Sequence, residues 1–273
     1  MKREDLEELE IDLLLEALDQ RYGYDFRHYA RASLRRRLLG LLDREGLKHV
    51  SELIARVLHK EDFLDQLVNG ISVTVTEPFR EPRTLAALRE HVFPWLQSHA
   101  FAKIWHAGCS SGEEVYSLAI LLAEEGMLDR VQIYATDINT ESLAVARQGI
   151  YALEAVRAAE ENYRRAGGRN KLSDYYAAQY GRAKFATRLQ ERMVFSQHNL
   201  VTDTAFGEMQ LILCRNVLIY FKRELQDRVL QLFVAALARR GFLALGLKES
   251  LGSIEHTGPY ETVDADARLF RKI

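Results

Sequence analysis

The 273-residue chain has little cysteine and little proline: two Cys and four Pro. Cys109 and Cys214 cannot frame a disulfide scaffold. Both close short apolar runs, so they are expected as small buried residues rather than as a disulfide or a metal pair, and no metal site is expected. No apolar run is long enough to span a bilayer, which excludes direct membrane insertion by a helix. The acidic, amphipathic N-terminus is unlike a secretory leader, and a cytoplasmic protein is expected. An excess of one charge is also missing. The 37 basic and 39 acidic residues leave a net charge of −2, so there is no global electrostatic case for nucleic acid or an anionic membrane. There are no internal repeats and no low-complexity tracts. What remains is an ordinary globular composition, 48% hydrophobic and 28% charged, at a length suited to one or two domains.

A further absence is local. Lys103-Ile104-Trp105-His106-Ala107 is short and apolar, as a buried strand should be. The small residues Gly108, Ser110, Ser111 and Gly112 follow, and Glu113 then opens a helical pattern with Val115, Leu118, Ala119 and Leu122 on one face. A strand, a tight turn and a helix in that order let a ligand approach the backbone. The turn lacks the third glycine of a dinucleotide fingerprint and the Gly-Lys-Ser/Thr of a P-loop. Glu113 would repel a phosphate there, so the turn either suits a cationic or hydroxyl-bearing ligand or is an ordinary βα turn whose glycines serve packing.

Residues 1–70 read as an all-helical domain. A second helix is expected near Asp25 to Arg44, capped by Asp25, with Phe26, Ala30, Leu34, Leu38 and Leu41 inward. Arg27, Arg31 and Arg35 recur every four residues on another face of it. No run of acids at matching spacing neutralises them, so an acidic partner is one reading and a solvated helix face the other. A third helix is capped by Ser51, and a fourth spans about 61–68, stopped by Asn69-Gly70. Residues 71–100 form a linker, β-branched and then punctuated by Pro78 and Pro82, that runs into a helix near Arg83 to Trp95.

Residues 101–273 alternate strands and helices, which implies a mostly parallel sheet with helices on both faces. Val131 to Thr136 is the second strand, ending in Asp137. An acid at that tip is either a helix cap or a ribose ligand, and the preceding loop favours the ribose. Residues 155–197 break the rhythm and read as a small inserted β-subdomain that ends in a core strand. Gly108, Asp137, Asn199 and Arg215-Asn216 each follow a strand, so they should gather on the carboxyl edge of the sheet, where such folds bind ligands.

Four segments in order resemble the CheR-type chemotaxis receptor methyltransferases. They are Thr76 to Pro82, Trp105-His106-Ala107-Gly108-Cys109-Ser110-Ser111-Gly112-Glu113-Glu114-Val115-Tyr116-Ser117, Ala135-Thr136-Asp137-Ile138-Asn139, and Cys214-Arg215-Asn216-Val217-Leu218-Ile219-Tyr220-Phe221. The resemblance covers nearly the whole chain. It implies a Rossmann-like class I fold dependent on S-adenosylmethionine (SAM), the helical N-terminal domain and the insertion. The implied activity is methyl transfer from SAM to receptor glutamates by a monomeric enzyme, with S-adenosylhomocysteine (SAH) as product. Carried over by residue, Thr74, Thr76, Arg80, Gly108, Glu113, Asp137, Asn199, Leu200, Arg215 and Asn216 contact the cofactor. Arg80 and Tyr220 stand at the reacting centre, and the second helix, with Arg27, Arg31 and Arg35, meets the receptor helices. A glutamate carboxylate is a nucleophile at neutral pH, which agrees with the lack of any Ser/His/Asp or Cys/His arrangement. Two readings from other classes remain: an NAD-linked oxidoreductase, disfavoured by the loop, and a catalytically silent SAM-binding sensor or adaptor.

Overall fold

The computed structural model describes residues 3–22, 24, 26, 27, 29, 31–60, 62–71, 76–221, 223–252 and 258–273. Four helices come first: α1 (Arg3–Tyr22), α2 (Arg31–Glu45), α3 (Val50–His59) and α4 (Phe63–Ile71). Leu34, Leu38, Leu41 and Leu42 of α2 recur at helical spacing and are buried. They pack with Ile11, Leu14, Leu15 and Leu18 of α1, Leu53 and Val57 of α3 and Leu67 of α4 in one separate core.

Ser51, the expected cap of the third helix, lies inside it, with His49 at the cap position before Val50, and three further expectations about this region change. The second helix starts at Arg31, six residues late, and Asp25, its expected cap, lies outside the described residues. The preceding segment is a turn in which Tyr29 N donates to Phe26 O at 3.0 Å, with the Phe26 ring buried and the Tyr29 ring 5.0 Å from it. The fourth helix runs through Asn69-Gly70 to Ile71. Asn69 is committed to the second domain: its Oδ1 accepts from Thr140 N at 3.2 Å, and its carbonyl accepts from Asn139 Nδ2 at 3.2 Å.

The third change concerns the arginines. Arg27 lies in the turn, not on α2, so the three do not share one helix face. They do have acidic neighbours, supplied by α1. Arg27 meets Glu16 at 3.3 Å and Asp19 at 2.8 Å, Arg31 meets Glu8 and Asp12 at 2.7 Å each, and Arg35 meets Glu7 at 2.6 Å. The spacing within α2 could not reveal acids packed across from it.

Helix α5 (Pro82–Ala87) passes through a π turn (Leu88–Val92) into α6 (Phe93–Gln97). Pro94 cannot donate to the carbonyl four residues back, and the helix widens there, with Phe93 N donating to Leu88 O. The α/β domain follows: β1 (Ala102–Ala107), α7 (Glu113–Glu124), β2 (Val131–Asp137), α8 (Thr140–Gln148), β3 (Ile150–Ala152), α9 (Leu153–Ala158), α10 (Glu160–Arg165), β4 (Tyr176–Gln179), β5 (Arg182–Phe185), α11 (Thr187–Gln190), β6 (Met193–Gln197), β7 (Met209–Cys214), α12 (Arg223–Ala236), β8 (Leu237–Leu245), β9 (Tyr260–Asp264) and β10 (Leu269–Lys272).

The main sheet has the order β6-β2-β1-β7-β8-β10-β9. The first five strands are parallel, and β10 is antiparallel to both of its neighbours. A core lies on each face, Ile104 pointing into one and Trp105 into the other. That is why the strands read as continuous apolar runs. The chain leaves β1 toward β2 on one side and later returns to β7 on the other, which opens a crevice at the strand tips. The insertion is the antiparallel sheet β3-β5-β4. It starts earlier than residue 155, with Ile150–Ala152. Met193–Gln197, the core strand in which it was expected to end, pairs with β2 as the edge of the main sheet.

The α1 acids set a measurable expectation. Arg31→Glu faces Glu8 and Asp12 with a like charge, and stability should fall by about 1 kcal/mol, the scale of exposed ion pairs. Adding Glu8→Arg should recover part of that loss in a urea-denaturation double-mutant cycle. Additive effects would mean that the pair contributes nothing.

Candidate active site

One cleft of about 880 Å³, its open mouth included, lies over the carboxyl ends of β6, β2, β1 and β7. Its wall takes Thr76 and Arg80 from the linker, Gly108 and Ser110 after β1, Asp137 and Ile138 at β2, His198 to Val201 after β6, and Arg215 to Val217 with Tyr220 and Phe221 after β7. Glu114, His106 and Cys109 complete the floor, and the helical domain contributes Tyr29. Tyr29 forms an isolated bridge to Phe221, with the two rings 5.0 Å apart.

Gly108 has φ +73°, and a Cβ there would meet Val217 Cγ2 at 2.4 Å. The glycine is therefore required by the turn and by the β7 loop pressed against it, as well as by any ligand. The turn is tied to the second strand: Gly108 N and Cys109 N both donate to Thr136 O, at 2.8 and 2.9 Å. Asp137 accepts from Ser110 N at 2.7 Å on Oδ2 and from Asn139 N at 2.9 Å on Oδ1. Burial raises the Asp137 carboxyl above its ordinary range against these backbone donors.

Behind the wall lies a buried ion network. The Arg215 side chain has no exposed surface, and it reaches Glu81 Oε2 at 2.9 Å and Glu114 Oε2 at 2.8 Å. It also donates to Arg80 O at 3.0 Å. The other Glu114 oxygen lies 3.1 Å from His106 Nε2. Burial opposes ionisation of Glu114, yet the Arg215 charge and the His106 hydrogen bond prevail and hold its pKa at about 2. Glu81 also accepts from Asn216 Nδ2 at 3.1 Å and Leu247 N at 3.1 Å, and it titrates below the ordinary range. Glu249 accepts from Gly246 N at 2.6 Å, Asn216 N at 2.9 Å and Ile219 N at 3.3 Å, and so holds the short turn that carries Tyr220. Burial raises the Glu249 carboxyl.

Of the site residues expected from sequence, Thr76, Arg80, Gly108, Asp137, Asn199, Leu200, Arg215, Asn216 and Tyr220 share this cleft. Thr74 lies outside the described residues. Glu113 is not in the lining: its Oε2 accepts from Ser111 Oγ at 2.7 Å, and Glu114 lines the floor instead. One step along a helix turns a side chain by about 100°, so an adjacent pair of glutamates cannot both face the crevice. Tyr29, His106, His198, Glu81 and Glu249 were not singled out as site residues. His106, His198 and Glu249 stand at or just after apolar strands and Glu81 lies in the Pro78–Pro82 linker, whereas nothing local marks Tyr29. The two cysteines are free and buried, and burial pushes both thiols well above the ordinary value.

The sequence profile described as CheR methyltransferase, SAM binding domain, matches residues 74–268, and that of the CheR methyltransferase all-alpha domain matches residues 9–72. This chain belongs to the CheR methyltransferase family. The Cher3 protein of Pseudomonas putida is 48% identical over 265 residues, covering 97% of both chains. Chemotaxis protein methyltransferase 2 of Pseudomonas aeruginosa is 35% identical over 237 residues, covering 84% of this chain and 79% of that one. Chemotaxis protein methyltransferase 1 of Vibrio cholerae is 30% identical over 249 residues, covering 88% of each. The cofactor of the family is SAM, and this CheR cleft fits it. Six buried polar atoms of the lining have no hydrogen-bond partner among the described residues: His106 Nδ1, Ser110 Oγ, His198 Nδ1, Asn216 Oδ1, and Nε and Nη1 of Arg215, the last of which faces Glu114 only as an ion pair. The lining sets two carboxylates, Asp137 and Glu114, beside two guanidiniums, Arg80 and Arg215, a mixed charge that suits a cofactor bearing both an ammonium and a carboxylate.

The depressed Glu114 pKa dictates a pH effect. Its folded value lies below its ordinary 4.5, so its contribution to stability is fully present above about 4.5 and is lost as pH falls toward about 2. Glu114→Gln should lower the urea midpoint at pH 7. Between pH 4.5 and 3 the midpoint of the wild type should fall more steeply than that of the variant. Parallel curves would show that the carboxylate carries no such linkage.

Proposed function

We propose that this chain transfers the methyl group of SAM to glutamate side chains on the cytoplasmic helices of chemotaxis-type receptors, giving glutamate methyl esters and SAH. The observation that carries the reading is that Arg80 lines the same cleft as the acidic floor, on a linker whose backbone is held by the buried Arg215. A cationic cofactor and an anionic substrate side chain require those opposite charges side by side.

Bound SAM supplies an electrophilic methyl group on a sulfonium. A substrate carboxylate, already ionised at neutral pH, would take that methyl group as a C–O bond replaced the C–S bond, so the chain would need to move no proton and supply no general base. Arg80 orients and neutralises the carboxylate through charge-assisted hydrogen bonds. Tyr220 borders the methyl group. Asp137, with both oxygens steered by backbone N–H groups, takes the ribose hydroxyls. Asn199 and Leu200 border the adenine, with Thr76 and the Gly108 turn along the rest of the cofactor. Arg215 serves mainly as a strut, its two terminal nitrogens facing Glu81 and Glu114. Rate enhancement then comes from alignment and from preorganised charge in a water-poor cleft. Receptor contact by Arg27, Arg31 and Arg35 remains part of the proposal. Their side chains are 43%, 32% and 42% exposed, but any receptor carboxylate competes there with the α1 acids.

Incubation with methyl-labelled SAM and receptor cytoplasmic fragments should yield base-labile label. SAH binding without transfer to any receptor fragment would select a silent sensor instead. Arg80→Ala should lower turnover about a hundredfold or more and leave SAH affinity nearly unchanged. Asp137→Ala should show the reverse emphasis, weakening SAH binding about ten- to a hundredfold by calorimetry. If both variants lost affinity and rate together, the separate roles would be wrong.

A further inference from the structure

Resting on that reading, we propose that His106 binds the α-ammonium group of the SAM methionine moiety, accepting its hydrogen bond on Nδ1. The two glutamates of the loop are poor candidates for this task. Glu113 is absent from the cleft lining and is engaged with Ser111. Glu114 lines the floor, but each of its oxygens already faces a partner, His106 on one and Arg215 on the other. Asp137 accepts a backbone N–H on each oxygen and is assigned to the ribose.

His106 stands at the end of β1, lines the cleft, and is 3% exposed. Its two nitrogens differ. Nε2 lies 3.1 Å from a carboxylate oxygen that has no proton to give, so Nε2 carries the hydrogen and donates. In the neutral ring this leaves Nδ1 as an acceptor, the tautomer being set by the bond on the opposite side. Nδ1 is buried and has no partner among the described residues. An unmatched buried acceptor costs free energy that a ligand donor restores. The charged groups around the ring are Glu114, bonded to it, Asp137, which couples to it electrostatically, and Arg215 beyond Glu114. An acceptor lone pair on the ring that Glu114 flanks takes a donor, so the ammonium fits there and the methionine carboxylate, itself an acceptor, does not.

The pair of substitutions His106→Gln and His106→Asn separates this role from a structural one. Glutamine places an amide near Nε2, keeping the bond to Glu114 and losing the Nδ1 acceptor. Asparagine places its amide near Nδ1 and loses the Glu114 bond. The probes are SAH and its desamino analogue, in which hydrogen replaces the amine, both measured by calorimetry. The wild type should prefer SAH by about ten- to a hundredfold, the size of a hydrogen bond to a charged group. His106→Gln should lose most of that preference while binding the analogue as the wild type does. His106→Asn should keep more of the preference than His106→Gln. An undiminished preference in His106→Gln, or an equal loss of both ligands, would overturn the assignment. Wild-type protein that bound SAH and the analogue equally would overturn it and leave the SAM reading standing. Wild-type protein that bound neither would overturn both.

Discussion

The buried Arg215 guanidinium is the constraint on which the cleft depends. It has no exposed surface, and it joins three parts of the chain: the linker through Glu81 and the Arg80 carbonyl, helix α7 through Glu114, and the β7 loop to which it belongs. A charge in that position is tolerated only because two carboxylates face it, and removing one partner would leave an uncompensated ion in the interior. Glu114 passes the connection on to His106, and Glu81 passes it to Asn216 and Leu247. The polar lining of the cleft and the linker bearing Arg80 are thus parts of one network.

The same region concentrates backbone strain. Phe79, Glu81, Ser110 and Asn216 all have positive φ, between 50° and 59°, and none is glycine. Each such residue costs about 1–3 kcal/mol and persists only where its surroundings over-determine it. Here they do. Phe79 is fully buried, its N–H bonded to Ser117 Oγ at 2.8 Å. Glu81 is held by Arg215, Ser110 by Asp137, and Asn216 by Glu249. Arg80 sits between two of the strained residues, so its direction is set by packing on both sides.

The helical domain closes one side of the cleft instead of hanging from a tether. Tyr29 meets Phe221 at the rim, and Asn69 hydrogen-bonds with Asn139 and Thr140, two residues beyond Asp137. Burial and the nearby Asp137 carboxylate raise the Tyr29 pKa, in keeping with a hydroxyl facing the acidic lining. The arginines of this domain lean on the acids of α1. Whatever attraction they offer an acidic partner is therefore reduced at short range before a partner arrives.

Much of this architecture was legible in residue order. Apolar runs alternating with amphipathic stretches required a parallel sheet covered on both faces, and the run from Trp105 to Gly112 marked the turn at its centre. The positions following the strands, Gly108, Asp137, Asn199 and Arg215-Asn216, had to converge, because parallel strands deliver their carboxyl ends to one edge. Local pattern fixes period, turn and capping, which act over a few residues. It is silent on what sits across a gap. That Glu114 and not Glu113 lines the cleft, that Arg215 is buried between Glu81 and Glu114, that α1 sets acids against the arginines, and that Tyr29 and His106 line the same cleft were decided only when distant segments packed. Burial and opposed charge are properties of the assembled neighbourhood, and no spacing along a single helix or strand encodes them.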